Sequence, residues 1–141
     1  MFFGEHKHNI DKKGRIAIPS KYRDELGATF MIAKSITGHN CLCVYSNSEW
    51  KVLAEKIQTL PSVQADRVKR FLYAGACDVE FDSQGRILIP SNLREFAKLE
   101  GETAVVGMLD HIEIWNMSDY AAESSVDTAQ SIADLVGNLN I

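Results

Sequence analysis

A chain of 141 residues with 45% apolar and 24% charged side chains has the composition of an ordinary globular protein. It has no apolar run near the roughly 20 residues that cross a bilayer, and residues 1–6 lack the layout of a signal peptide, so we expect a cytoplasmic protein. The net charge of −4 hides an asymmetry, because residues 1–71 carry twelve basic against seven acidic side chains and residues 72–141 carry three against twelve. Only the first half, at +5 against −9, has the local positive potential that favours a polyanion.

The first predicted element is a turn that occurs twice in the chain. The run Asp11-Lys-Lys-Gly-Arg15-Ile-Ala-Ile-Pro-Ser20 returns 71 residues later as Asp82-Ser-Gln-Gly-Arg86-Ile-Leu-Ile-Pro-Ser91, and eight of the thirteen positions from Asp11 to Arg23 are shared. A unit of about 70 residues present only twice indicates a duplicated domain rather than a solenoid. Because each copy alone would bury only around 60% of its unfolded surface, we expect the two copies to share a core or to dock tightly.

Each copy of the turn predicts a β-hairpin. Asp at the first position and Gly at the fourth suit a type I turn that leads the chain into the next strand. The alternation of Ile16 with Ile18, and of Ile87 with Ile89, places these side chains on one strand face and predicts that they are buried.

A short helix is predicted after each of these strands. Pro19 and Pro90 end the strands, and Ser20 and Ser91 are expected to cap helices over about 20–26 and 91–100, closed by Gly27 and Gly101. Further strands are predicted at about 29–36, 41–45, 103–109 and 112–115.

A helical hairpin is predicted between the copies. Trp50, Leu53, Ala54, Ile57 and Leu60 form an apolar stripe on a helix that Ser46 or Ser48 opens and Pro61 ends, and a second helix covers about 62–72. The acidic end of the chain has apolar residues at helical spacing, which fits either a weak helix docked on a partner or a loose tail. The predicted organisation is a first repeat at 1–47, a helical hairpin at 48–72, a second repeat at 73–117 and a helical or flexible tail at 118–141.

The doubled motif Asp-x-x-Gly-Arg-Ile-x-Ile-Pro resembles the swapped-hairpin DNA-binding modules of the AbrB class. Two such modules around a helical hairpin, with Phe-x-Gly near the start, are similar to the MraZ family of bacterial regulators, over about residues 1–120. The resemblance implies an α+β, mainly β, fold in which tandem swapped-hairpin β-barrel repeats form an intrachain pseudo-dimer, and in which several chains associate into a ring-like homo-oligomer.

The resemblance also implies a function. Members of the family are associated with the bacterial division and cell-wall gene cluster, so we expect a sequence-specific, DNA-binding transcriptional regulator that is cytoplasmic and nucleoid-associated. The implied contact is the loop from Asp11 to Arg15. Because one basic loop gives limited specificity, we predict promoter sites made of direct repeats, read by an oligomer whose loops line one surface.

The residues of this loop support DNA binding independently of the family. Lys12 and Lys13 at the turn have no packing role there and suit phosphates, and Arg15, just beyond Gly14, carries a planar donor fork suited to phosphate or a guanine edge. Lys7 and Arg86 are expected to add to the DNA-binding surface, although the second copy has Ser83 and Gln84 in place of the two lysines.

Simpler interpretations of these residues remain open. In one of them, the Asp and Arg of each turn pair with each other within the fold. In another, Lys12 and Lys13 are simply exposed to solvent. Arg23 and Arg94 can likewise be interpreted as partners of nearby acidic residues. A different function is also open, in which the acidic second half binds a protein partner and the chain is an interaction or assembly module.

Other function classes find no support in the sequence. It contains no nucleophile–base set, no paired carboxylates and no phosphate-binding glycine loop, so we expect neither an enzyme nor a small-molecule substrate. Cys41, Cys43 and Cys77 are expected to be buried, reduced thiols. A zinc site built from His6 and His8 with a thiolate lacks the usual ligand spacing, so no metal and no cofactor are predicted.

Overall fold

Fourteen helices and strands make up the computed structural model, which describes residues 1–141. The first repeat consists of β1 (Glu5–Ile10), β2 (Arg15–Ala17), α1 (Ser20–Leu26), β3 (Thr29–Lys34) and β4 (Leu42–Tyr45). Two helices follow, α2 (Asn47–Gln58) and α3 (Ser62–Tyr73). The second repeat consists of β5 (Cys77–Glu80), β6 (Arg86–Leu88), α4 (Ser91–Ala97), β7 (Gly101–Gly107) and β8 (Ile112–Asn116), and the chain continues with α5 (Met117–Ser124) and α6 (Ala129–Leu135).

The two repeats exchange strands. Strand β1 of the first repeat pairs antiparallel with β7 of the second, and β5 of the second pairs antiparallel with β3 of the first. The resulting six-stranded sheet has the order β1-β7-β8-β4-β3-β5, and β2 and β6 form a separate antiparallel ribbon in which Ile16 faces Ile87. The fold is therefore α+β with antiparallel sheets, and each repeat completes the sheet of the other.

The strand exchange corrects two expectations from the sequence. Each Asp-x-x-Gly turn forms, but its flanking strands share only a short link, such as the bond from the Asp11 amide to the Arg15 carbonyl at 3.0 Å, and then separate. They separate because each strand has its hydrogen-bonding partner in the other repeat. Strands β1 and β5 are the two edges of the large sheet, so hydrogen bonding between strands does not close a β-barrel.

The main hydrophobic core lies between the repeats. Ile16, Ile18, Ile87 and Ile89 are at most 1% exposed, which confirms the prediction from their alternation. The core also contains Tyr22 of α1 and Leu93 of α4, together with residues of both repeats on β3, β4, β7 and β8. The expectation that the copies share a core is confirmed.

The helical hairpin packs on the other face of the large sheet. Ile57 of α2 and Leu72 of α3 are buried against Ala33 of β3, with Trp50 at the edge of this cluster. Ser46 caps α2 by accepting a hydrogen bond from the Glu49 amide at 3.3 Å, as predicted.

The ends of the two short helices differ in part from prediction. Helix α1 closes on Gly27 as expected, but Ser20 and Ser91 are the first helical residues rather than caps, and Pro19 and Pro90 occupy the cap positions without side-chain bonds. A proline suits this position because the N-cap backbone is extended, as at Pro19 with φ −50° and ψ 134°. Helix α4 stops at Ala97, because Lys98 turns left-handed with φ 54°.

The last part of the chain is helical. Helix α5 packs against β7 and β8, where the rings of Tyr120 and Trp115 lie 5.8 Å apart. Helix α6 leaves Ile132 and Leu135 exposed. None of the helices combines the length and the apolar character that crossing a membrane would need.

Candidate nucleic-acid interface

The loop at residues 11–15 is held by its own aspartate. One carboxylate oxygen of Asp11 accepts hydrogen bonds from the amides of Lys13 and Arg15, both at 2.9 Å, and the Gly14 amide donates to the Asp11 carbonyl at 3.0 Å. Gly14 has φ +87°, a left-handed conformation that glycine adopts without strain. The bond from the Arg15 amide is the main reason why the pKa of Asp11 is lowered, so the carboxylate stays ionised at neutral pH.

The loop of the second repeat has the same backbone arrangement. Asp82 accepts from the amides of Gln84 and Arg86 at 2.8 and 2.9 Å, and Gly85 has φ +75°. The pKa of Asp82 is lowered chiefly by the Arg86 amide. The two loops therefore differ in side chains rather than in shape, with exposed Lys12 and Lys13 in the first where exposed Ser83 and Gln84 stand in the second.

The arginine beyond each turn glycine is bonded to the loop aspartate. Arg15 Nε donates to Asp11 Oδ2 at 2.8 Å, and Arg86 Nε donates to Asp82 Oδ2 at the same distance. The side chains are 34% and 27% exposed. The expected pairing within the fold is thus present in both copies, but it uses only Nε, and the terminal guanidinium nitrogens form no hydrogen bond within the chain.

Each loop rests on an arginine from the other repeat. The Arg94 guanidinium lies against Gly14, where a Cβ atom would come within 2.7 Å of Arg94 Nε, and Arg23 lies against Gly85 in the same way. Arg94 Nε donates to the Ile89 carbonyl at 2.9 Å, and Arg23 Nε donates to the Ile18 carbonyl at 3.1 Å. Backbone bonds also join the repeats here, including one from the Ile89 amide to the Gly14 carbonyl at 2.8 Å.

These contacts correct the interpretation of Arg23 and Arg94. Neither forms an ion pair with an acid, and both bond backbone carbonyls instead. Sequence reasoning recognised that the two arginines occupy matching positions but missed that each supports the opposite loop. The matching positions of the two arginines were the signal in the sequence. When two copies exchange strands, a residue present at the same position in both copies has the same structural role in each.

The first loop therefore combines four cationic side chains from both repeats. Lys12 and Lys13 are exposed, Arg15 is half-buried, and Arg94 lies beneath Gly14. A cavity of about 890 Å³ adjoins the loop, and its wall carries Lys12, Arg94 and Lys98 together with the carboxylates of Asp11, Glu95 and Glu100. This mixture of charges leaves the two exposed lysines as the part of the loop most open to a polyanion.

The remaining predicted residues lie outside the first loop. Lys7 is exposed on the edge strand β1, where it pairs with Ala104 of β7. Arg86 belongs to the second loop, but the β2–β6 register pairs Arg15 with Leu88 and Arg86 with Ala17, so the two arginines lie on the same face of the ribbon as diagonal neighbours. The structure thus places Lys12, Lys13, Gly14 and Arg15 in one loop, with Arg86 diagonally across the ribbon from Arg15 and Lys7 on β1.

Comparison with known proteins identifies the family. Residues 1–70 and 72–135 match the family model described as "MraZ protein, putative antitoxin-like". The chain is 45% identical over 145 residues to the "Transcriptional regulator MraZ" of Caldicellulosiruptor saccharolyticus and 43% identical over 145 residues to that of Acetivibrio thermocellus, with 100% of this chain and of each relative covered. It is 48% identical to the same regulator of Caldicellulosiruptor bescii, over 87% of this chain and 86% of the relative.

Among solved structures, the chain matches the solution structure of PHS018 from Pyrococcus horikoshii with a TM-score of 0.34 and 14% identity, over 81% of this chain and 88% of the other. A match this loose supports no conclusion. The sequence matches are full-length and well above chance similarity, and they agree with the expectation that the chain is not an enzyme. The chain belongs to the MraZ family of transcriptional regulators.

Proposed function

We propose that this protein is a sequence-specific DNA-binding regulator that reads repeated promoter boxes through the basic loop of its first repeat, residues 11–15. Its targets would lie in the bacterial division and cell-wall gene cluster, and the protein would act in the cytoplasm, associated with the nucleoid. The observation that carries the proposal is a comparison within the chain: two loops share one backbone, and only the first presents exposed lysines.

The rigidity of the loop supports this role. Asp11 holds three groups of its own loop, the Lys13 amide, the Arg15 amide and Arg15 Nε. Arg94 from the other repeat packs beneath Gly14. A loop that is ordered before it binds loses less conformational entropy on binding, so more of the contact energy appears as affinity.

The side chains of the loop divide the work of recognition. Lys12 and Lys13 would contact phosphates, which adds affinity without sequence preference and makes binding sensitive to salt. The terminal nitrogens of Arg15 remain available for a guanine edge or a phosphate, while Nε stays bonded to Asp11 and fixes the direction of the fork. Lys7 and Arg86 would contribute through the general charge of the surface.

Each chain has only one strongly basic loop, and this is the reason for proposing that several chains bind DNA together. One good bidentate base contact discriminates by about 1–3 kcal/mol, which is too little to select a promoter. Several chains in a ring-like homo-oligomer would present several copies of the loop, and direct repeats of a short box would let them bind together with a gain in avidity.

The test compares two arginines that form the same ion pair. On DNA from upstream of the protein's own gene, Arg15→Ala should weaken specific binding by roughly 5- to 150-fold for each bound loop, the loss of one base contact. Arg86→Ala loses an equal bond to its aspartate and is the matched control, with a smaller expected effect on binding. If Arg15→Ala, shown to be folded by circular dichroism, binds its site as the native chain does, the assignment of the loop is wrong.

A second function is supported by the charge of the second half. Residues 72–141 carry a net charge of −9, which would suit a basic protein partner and an interaction module rather than a DNA reader. The two functions predict different effects of salt on the binding of this protein to DNA. A protein that does not bind its promoter DNA at low salt, yet retains a partner through the acidic half, would favour the interaction module.

A further inference from the structure

A second cluster of reactive side chains lies on the sheet face opposite the main core. The pairing of β4 with β8 places Cys43 directly opposite Glu113 and Leu42 opposite Ile114. Because side chains alternate along a strand, Cys41 then lies on the same face as Cys43 and Glu113. His111, two residues before Glu113, lies at the start of this face.

The cluster is buried and its ligand-type atoms converge. Cys41 is fully buried, Cys43 is 3% exposed and Glu113 is 9% exposed. The two sulfurs and a carboxylate oxygen all lie within 4.8 Å of one another. Ala104 and Trp115 enclose Cys41. A carboxylate at this depth is costly unless it is paired or coordinates a cation.

The surrounding residues orient the imidazole and the carboxylate. His111 Nδ1 lies 2.6 Å from Asp110 Oδ1, and its other nitrogen, Nε2, lies 3.9 Å from Glu113 Oε2. Trp115 Nε1 donates to Glu113 Oε1 at 2.9 Å. A histidine held by a carboxylate at one nitrogen, with its other nitrogen facing possible ligand groups, is the usual arrangement of a metal ligand with its supporting partner.

We propose that this cluster binds one soft divalent cation of the zinc class through Cys41 Sγ, Cys43 Sγ, His111 Nε2 and the Glu113 carboxylate. Two sulfurs, one nitrogen and one oxygen form a four-ligand set that suits tetrahedral zinc. With metal–sulfur bonds of about 2.3 Å, ligand atoms in a tetrahedron lie roughly 3.8 Å apart. The two sulfurs and the Glu113 carboxylate oxygen, which lie within 4.8 Å of one another, need a closure of about 1 Å or less to reach this geometry. His111 Nε2, 3.9 Å from Glu113 Oε2, would move in to complete the set.

Burial lowers the pKa of His111, but hydrogen bonds with Cys43, Glu113 and Asp110 raise it to about 10, so the imidazole is protonated until a cation displaces the proton. A hydrogen bond with Cys41 lowers the pKa of the Cys43 thiol despite burial, and a bond with His111 lowers it further. Burial raises the pKa of Glu113, but bonds from His111 and Trp115 outweigh this effect and lower it. The cation would replace the protons on Cys41 and on His111 Nε2, which pass to solvent, and it would compensate the negative charge of the thiolates and the carboxylate.

The proposal departs from the expectation of no metal. His6, one of the two histidines weighed from the sequence, packs its ring edge-on against Tyr22 at 5.5 Å and takes no part in the cluster. The cluster joins residues some 70 positions apart, through the β4–β8 register, which the spacing of residues along the chain does not show. A cation here would tie β4, β8 and the 110–111 turn together.

The test uses Co²⁺ as a spectroscopic probe on the full chain, stripped of metal with a chelator and kept reduced. We expect one Co²⁺ per chain with a thiolate-to-cobalt charge-transfer band, and displacement of Co²⁺ by Zn²⁺. The band should persist in Cys77→Ser, because Cys77 lies outside the cluster and donates to the Asp78 carbonyl, and it should weaken or disappear in Cys43→Ser, which removes one of the two thiolates.

A second variant decides the matter if Cys43→Ser does not fold. Asp110 is 60% exposed, so Asp110→Asn should fold, yet it should weaken Zn²⁺ binding 10- to 100-fold, because a neutral amide replaces the carboxylate that supports His111. The native chain and Cys77→Ser should also melt at a higher temperature with Zn²⁺. No thiolate band in the native chain, or native Zn²⁺ affinity in a folded Asp110→Asn variant, would overturn the proposal.

Discussion

Individual residues of the first loop combine structural and proposed binding roles. Arg15 is bonded to Asp11 through Nε and keeps its terminal nitrogens unbonded within the chain. Arg86 has the same geometry in an acidic half of the molecule. An ion pair seen in a structure therefore does not exclude a role in DNA binding, and the neighbouring side chains carry the distinction between the two loops.

Asp11 gives a pH-dependent contribution to stability. The Arg15 amide and side chain lower the folded pKa of Asp11 below its ordinary value of about 3.9. Stability from such a carboxylate is present above the unfolded pKa and is lost as the pH falls through the folded pKa. We expect the native chain to be more stable than Asp11→Asn at neutral pH, and the difference to shrink below about pH 4.

Urea unfolding of both proteins at a series of pH values measures this difference. Asp82→Asn should behave in the same way, because its loop has the same bonds. A difference that stays constant down to strongly acidic pH would show that ionisation of Asp11 does not contribute to the stability of the folded loop.

Gly14 is the second residue with a sharp expectation. Gly14→Ala places a side chain at φ +87° and pushes it into the Arg94 guanidinium, whereas Gly38→Ala, at φ +93°, meets no atom within 4 Å. Both changes should cost about 1–2 kcal/mol for the left-handed backbone. Gly14→Ala should cost at least about 1 kcal/mol more, because the bond from Arg94 to the Ile89 carbonyl is disturbed.

Chemical denaturation of the two alanine variants tests this comparison. Equal losses of unfolding free energy would mean that Arg94 moves aside without cost and does not support the first loop.

At the scale of elements, the helical hairpin offers a matched pair of leucines. Leu72 of α3 is fully buried against Ala33 and Ile57, whereas Leu60, between α2 and α3, is 38% exposed. Leu72→Ala should lower the free energy of unfolding by about 2–5 kcal/mol, because it leaves a cavity. Leu60→Ala should cost about 1 kcal/mol or less, and similar losses in denaturant titrations would contradict the packing of α3 on the sheet.

The helices and strands also show which parts of the fold can be predicted from the sequence. The alternation around Ile16 and Ile87 identified buried strands, and Gly27 and Ser46 identified helix ends, because these signals are local. Such signals do not predict which strands pair. Alternation of apolar and polar residues indicates which side chains of a strand are buried, but not which other strand lies next to it. The predicted hairpin ladders were wrong for this reason.

The candidate site shows the same limit. The charge difference between the two loops can be predicted from the sequence, because Lys12 and Lys13 of the first loop have no basic counterparts in the second. The support that Arg94 gives to Gly14, and the meeting of Cys43 with Glu113, depend on contacts between repeats and could not be read from either repeat by itself.

For the whole molecule, strand exchange makes the two repeats one folding unit. A fragment covering residues 1–74 loses the second-repeat partners of β1, β2, β3 and β4 and keeps only the β3–β4 pair. We expect this fragment not to fold as a monomer, because so few strands bury too little surface. Circular dichroism with sedimentation at low concentration checks this expectation, and a folded monomeric fragment would contradict the strand exchange.

The central claim is that the lysines of one of two equivalent loops contact DNA. The double variant Lys12→Ser with Lys13→Gln gives the first loop the side chains of the second and leaves the backbone bonds of Asp11 available. The control, Ser83→Lys with Gln84→Lys, adds the same charges to the second loop.

The decisive measurement is the slope of the logarithm of the binding constant against the logarithm of salt concentration, on promoter DNA from upstream of the protein's own gene. Because each phosphate contact contributes about 0.9 to this slope, the account predicts that the first double variant is less steep than the native chain by about 2 for each loop that binds the DNA. When both double variants are combined in one chain, the lysines of the second loop should not restore the slope that the first loop has lost. An unchanged slope in the first double variant would contradict the account.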